Sequence, residues 1–201
     1  MTHTFDLSKH MFKNADTETK IAAKSQENFV VGNRIYILGP FDRSISSEVI
    51  PAVIELIDQL KSEKDPSFEV YINSYGGYAA ELFGLIAVLD IAKANGIKVI
   101  TYNLGVAMSC GSLLAVTGDY RYMHKYATNL PHLGQMGMTL STVEQLERNA
   151  KRVAEHFAKI YTIYAAHTKL NKKQLDKVLK DDDYFMSADE CLKCGFCDEI
   201  I

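Results

Sequence analysis

Between Phe29 and Tyr126, short runs rich in β-branched and aromatic residues alternate with stretches whose apolar residues recur every three or four positions. Arg34-Ile35-Tyr36-Ile37-Leu38 ends at Gly39-Pro40, Phe68-Glu69-Val70-Tyr71-Ile72 ends at Asn73-Ser74, and Ile97 to Tyr102 runs into Asn103. Runs of this kind bounded by turn residues predict strands. Between them, Val49, Val53, Ile54, Ile57 and Leu60 mark a helix over Ser46 to Lys61, broken at Asp65-Pro66. Leu82, Phe83, Ile86 and Leu89 mark a second over Tyr78 to Ala94, with Gly96 placed as a left-handed cap. A short apolar helix follows over Ser109 to Thr117, and Tyr120 to Tyr126 reads as a fourth strand. Strict strand–helix alternation calls for parallel strands joined by right-handed crossovers, so the fold class is α/β. Ligands of such sheets sit beyond the carboxyl ends of the strands. Two loops occupy that place: Asn73-Ser74-Tyr75-Gly76-Gly77, and Asn103 to Met108.

The last third is helical. Ser141 and Glu144 form a capping-box pattern, and Val143, Leu146, Ala150, Val153, Phe157, Ile160 and Tyr164 then recur at helical spacing to about Thr168. A helix that long exceeds what a small domain needs to close its core, and predicts an element that projects against another subunit. Asn171 caps a shorter helix through Leu179, Ser187 opens another that ends at Gly195, and a terminal strand covers Phe196 to Ile200. The polar residues before Phe29 show no period, which divides the chain into an arm or loop over 1–28 and one domain over 29–201. With 47% apolar and 23% charged residues and a net charge of −3, the composition is that of a globular domain without a basic surface for nucleic acid or anionic membrane. Four cysteines make no disulfide framework, and no secretory signal or membrane span is evident, so the reading is a cytoplasmic protein.

For chemistry, Ser109 stands where a strand-following loop turns into a helix of small residues, among backbone N–H groups able to hold an oxyanion. The competing reading is a plain Ser N-cap. Gly76-Gly77 opens the preceding helix in the same way, as a second oxyanion donor or a tight turn. Spacing alone selects no base among His3, His10, His124, His132, His156 and His167, and Asp181-Asp182-Asp183 reads by itself as a solvated acidic turn. Cys191, Cys194 and Cys197 have metal-ligand spacing but no evident fourth ligand, which favours core packing.

From Phe29 onward the chain resembles the Clp protease proteolytic-subunit family. The family's Asn-Ser-Pro-Gly-Gly appears as Asn73-Ser74-Tyr75-Gly76-Gly77, and its Gly-x-Ala-x-Ser-x-Gly as Gly105 to Gly111. Arg121-Tyr122 leads to His132 over the family's separation, and Asp183-Tyr184-Phe185-Met186-Ser187-Ala188 matches its acidic motif. The resemblance implies the crotonase-like superhelix with a projecting handle helix, and a serine endopeptidase. It further implies Ser109 as nucleophile, His132 as general base and acid, Asp183 as the residue orienting the imidazole, and the N–H groups of Gly77 and Cys110 as the oxyanion hole. No cofactor or metal is implied. Peptides or unfolded proteins would be the substrates, within heptameric rings stacked as a tetradecamer and served by an ATP-dependent unfoldase. Tyr75 departs from the family's Pro, which implies a less rigid loop, and His132-Leu133-Gly134 from its His-Gln-Pro; Asp182 stands where the family has an Arg that pairs across the ring interface, so that ring-to-ring contact must be made differently or be weaker. A catalytically weak ring subunit, a viral-maturation or signal-peptide peptidase, and an acyl-CoA hydratase on the related scaffold are the alternatives.

Overall fold

The computed structural model describes residues 27–134, 142–181 and 184–201. The expected arm lies outside the described residues up to position 26, and so do Ser141, Asp182 and Asp183. Strand β1 (Asn28–Val31) pairs antiparallel with β2 (Arg34–Ile37). Then β2, β3 (Ser67–Ser74), β4 (Lys98–Met108), β5 (Tyr120–Met123) and β7 (Glu199–Ile200) continue side by side in parallel. The short β6 (Thr128–Leu130) pairs with the far end of β4. A π-helical turn over Ile45–Val49 runs into α1 (Ile50–Leu60). The other helices are α2 (Ala79–Ala94), α3 (Cys110–Val116), α4 (Val143–His167), α5 (Lys172–Leu179) and α6 (Ala188–Cys194). Spatial order follows chain order from β1 to β5, so each crossover advances by one strand, in keeping with the superhelix that the resemblance implies.

The pleat sorts the sheet into two faces. Ile35, Ile37, Val70, Ile72 and Val99 are sealed in the core with Val53, Leu85, Leu89 and Leu114 of the crossover helices. Each such side chain contributes about 1.5–3 kcal/mol on full burial. On the opposite face the register aligns Phe29, Tyr36, Tyr71, Tyr102 and Tyr122 across five strands. Their rings stack in one row at centroid separations of 4.7, 5.2, 4.7 and 4.9 Å, the cross-strand contact that fixes register in a sheet. The C-terminus is clamped by Arg121, whose guanidinium grips both Asp198 carboxylate oxygens at 2.8 and 2.6 Å and donates to the carbonyls of His167 and Gly195.

Several expectations are corrected. The third strand does not stop at Tyr102 but runs to Met108, so Asn103 to Met108 is strand rather than loop. Asn73 makes this possible: its Oδ1 accepts the Val106 N–H at 3.0 Å across a register shift between Ile72 and Ser74. Beyond that bulge β4 exchanges its neighbour β5 for β6. The capping box of α4 is formed by Thr142 and Gln145, not by Ser141 and Glu144, because the first helical turn starts one residue later. Of the apolar residues along α4, Ile160 and Tyr164 are buried, whereas Val143 is 72% and Leu146 38% exposed. Ile54 is likewise exposed although placed on the core face of α1. The terminal strand is only Glu199–Ile200, since Phe196 and Cys197 turn into the core. Gly96 takes the expected left-handed conformation, and Asn171 and Ser187 cap α5 and α6 as predicted.

Candidate active site

Ser109 joins β4 to α3 with φ 53° and ψ −118°. For a residue with a Cβ, this conformation costs about 1–3 kcal/mol and persists only where its surroundings enforce it. They do so from two sides. The Ser109 N–H donates to the Leu130 carbonyl at 2.9 Å, and its own carbonyl accepts the Leu113 N–H at 3.0 Å. Although Ser109 occupies the N-cap position of α3, its hydroxyl makes no capping bond, so the plain-cap reading does not hold. The sharp turn presents the Ser109 hydroxyl, which interacts with the Cys110 thiol, at the carboxyl end of a central strand, the geometry other hydrolases use to expose a nucleophilic serine.

Gly76 and Gly77 complete the turn beside it, with φ 103° and 151°. A Cβ on Gly76 would lie 2.6 Å from the Ser109 Cβ and 3.1 Å from its Oγ, so only glycine lets this backbone lie against the serine. Phe41 pairs with the strand-like segment from the far side, donating to the Gly76 carbonyl at 2.9 Å and accepting the Tyr78 N–H at 2.7 Å. That pairing leaves the polar groups of Gly77 turned away from Phe41. The Gly77 carbonyl accepts the Cys110 thiol at 3.3 Å. Outside the helices and strands, neither the Gly77 nor the Cys110 N–H makes a backbone–backbone hydrogen bond among the described residues, and both lie close to the Cys110 thiol beside Ser109. Burial pushes the Cys110 thiol up, so its side chain acts as a neutral donor rather than a thiolate.

His132 approaches through β6. The register sets Ala107 beside Asn129 and Met108 beside Leu130. Ser109 thus follows one strand of the pair by one residue, and His132 leaves the other two residues beyond Leu130. His132 is half-buried behind the buried Pro131. The other described histidines sit on different elements: His124 donates its N–H to Asn103 after β5, His156 packs edge-on to Phe83, and His167 ends α4 with its pKa lowered by burial. Asp183 lies outside the described residues, but the chain on either side of it is stitched to the His132 segment. Leu133 donates to the Leu179 carbonyl at 3.1 Å. Asn129 and Met186 exchange backbone hydrogen bonds of 3.0 and 2.7 Å.

Two residues without a role assigned from the sequence hold this arrangement: Asn73, which fills the bulge, and Ser74, whose buried hydroxyl bonds Gly39 and Gly76. Both belong to the Asn-Ser-x-Gly-Gly run, and polar residues next to a glycine pair were the available signal. Cys191 and Cys197 are buried in the core and Cys194 is half-buried. Burial pushes the Cys191 thiol well up and that of Cys197 to about 11. Among the described residues no group of three or more His, Cys, Asp or Glu side chains could hold a metal ion, and no helix is long and apolar enough to cross a membrane.

The model of the family described as Clp protease matches residues 17–201. The ATP-dependent Clp protease proteolytic subunit of Deinococcus radiodurans is 33% identical over 173 residues, covering 84% of this chain and 80% of the relative. That of Porphyromonas gingivalis is 31% identical over 84% of this chain and 74% of the relative, and that of Streptococcus sanguinis 29% identical over 83% of each. With the match spanning the strand–helix superhelix and both turns around Ser109, the chain belongs to the Clp protease family and is a hydrolase of serine-peptidase type.

Proposed function

We propose that the chain is a serine endopeptidase subunit in which Ser109 is the nucleophile, His132 the general base and acid, Asp183 the group that orients the imidazole, and the Gly77 and Cys110 N–H groups the oxyanion hole. The observation that carries this reading is the strained Ser109 turn, with its hydroxyl withheld from helix capping. Ser109 Oγ attacks the scissile carbonyl while His132 takes its proton, and the two N–H groups receive the negative charge on the carbonyl oxygen. Collapse of the tetrahedral intermediate expels the amine, protonated by His132, and leaves an ester on Ser109. Water, deprotonated by His132, then attacks the ester and releases the second product. The hydrogen bonds that tie Leu179 and Met186 to the residues flanking His132 support Asp183 as the orienting partner.

The same reading makes the chain one subunit of a closed chamber, two heptameric rings stacked as a tetradecamer, with residues 29–201 as the peptidase domain and 1–28 as an arm. The exposed Val143 and Leu146 at the start of α4 support an inter-subunit role for that helix. The relatives are named ATP-dependent, which supports an unfoldase that delivers unfolded polypeptide. The test is hydrolysis of a fluorogenic peptide by the assembled particle, sized by native mass. The wild type cleaves and Ser109→Ala does not. Equal cleavage by both would refute the assignment.

A further inference from the structure

Ser74 is 1% exposed, and its hydroxyl stands between two backbone groups of different loops. It donates to the Gly39 carbonyl at 2.6 Å and is positioned at 3.2 Å to accept the Gly76 N–H. Gly39 belongs to the loop that carries Phe41, and Phe41 pairs with Gly76 and Tyr78 on either side of Gly77. The Ser74 carbonyl also lies where a Cβ on Gly111 would meet it at 2.9 Å, so α3 packs directly on the same residue. One hydroxyl therefore joins the loop behind Gly76-Gly77, the turn itself and, through its own backbone, the helix that begins at Cys110.

We propose that Ser74 is a positioning residue for the oxyanion hole: its hydroxyl sets the aim of the Gly77 N–H toward the carbonyl oxygen that Ser109 attacks. The inference rests on the assignment of the Gly77 N–H as an oxyanion donor. Without the hydroxyl, the Gly39 carbonyl and the Gly76 N–H lose a shared partner in a buried place, and the turn relaxes to recover one. A donor displaced from the developing oxyanion loses transition-state stabilisation while ground-state binding of the peptide stays as it was.

The experiment compares wild type, Ser74→Ala, Ser74→Cys and Ser74→Thr as assembled particles, with Ser109→Ala as control. The thiol of Ser74→Cys keeps the side-chain volume close to that of serine but is a weak donor and acceptor, so this variant reads the effect if the alanine fails to fold. Expected for each folded variant without the hydroxyl is a fall in kcat of about tenfold or more, short of the full loss of one oxyanion donor. KM and the midpoint of the acid limb of the kcat/KM profile stay unchanged, and Ser74→Thr regains rate. The decisive readout is the preference for a peptide ester over its thionoester, because sulfur is a poor acceptor for the two N–H groups. That preference shrinks in Ser74→Ala or Ser74→Cys. A folded variant with wild-type kcat, or one slowed with its ester preference intact, overturns the inference, as does failure of both variants to fold. Residual cleavage by Ser109→Ala would instead sink the underlying nucleophile assignment, whatever Ser74 does.

Discussion

The hydroxyl of Tyr164 donates to the hydroxyl of Ser112 at 3.0 Å, and both residues are wholly buried. This bond joins the long helix α4 to the short helix that starts beside Ser109. Burial pushes the Tyr164 hydroxyl up, so it remains a neutral donor at any working pH. Tyr164→Phe keeps the ring and its packing on Phe196 but leaves Ser112 without this partner in the core. The expected cost is about 1–2 kcal/mol, read as a lower denaturant midpoint at unchanged slope.

Gly76→Ala tests the closeness of the two turns. The added Cβ would lie 2.6 Å from that of Ser109, at a backbone φ of 103° that alanine adopts only under strain. Either the glycine turn or the serine must move. A misplacement of about 1 Å at a reacting centre costs roughly 100-fold, so kcat should fall by that order in a particle of normal mass. Peptide hydrolysis alongside native mass spectrometry checks it, and near-normal turnover would show that the two turns are looser than their contact implies.

Asp183→Asn removes the negative charge that would hold the His132 imidazole in its working tautomer. A fall in kcat of about 10⁴-fold is expected at neutral pH, from the effect of the same change in other serine peptidases. Steady-state kinetics on the purified protein decides the matter. A loss of less than tenfold would assign the orienting role to another group.

The Arg121–Asp198 clamp makes stability depend on acid. The hydrogen bonds from Arg121 hold the Asp198 carboxyl below the usual carboxylate range. A depressed folded pKa contributes stability above the unfolded value, about 3.9, and loses it as pH falls through the folded one. Wild type should lose its advantage over Asp198→Asn as pH drops below about 4, while at neutral pH the variant is the less stable of the two. Thermal midpoints taken down the acid range measure both differences.

Much of the fold was legible because it is written in local periodicity. The alternating Ile35, Ile37, Val70 and Ile72, and the caps Asn171 and Ser187, needed no distant partner to be read. What escaped depends on contacts across long loops. From sequence the strand reads as ending at Tyr102, and the Asn73 side chain, reaching Val106 from another strand, carries β4 on to Met108. Strand β6 is three residues long and carries no pattern of its own. Ser141 with Glu144 and Thr142 with Gln145 fit the same capping pattern, and the start of the first helical turn decides between them. At the site, the residue types at Ser109, Gly76 and Gly77 were readable but the positive φ of Ser109 was not. His132 was singled out by resemblance alone; the fold adds that β6, which ends two residues before it, runs beside the strand that ends next to Ser109.

Covalent labelling of Ser109 by a fluorophosphonate tests the central claim most directly, because the reaction needs an activated hydroxyl with an oxyanion hole beside it. The wild-type subunit should gain the mass of one phosphonyl group, mapped to the peptide containing Ser109, and Ser109→Ala and His132→Ala particles of normal size should gain almost none. A folded, assembled wild type that stays unlabelled, or carries the label on another residue, would contradict the account.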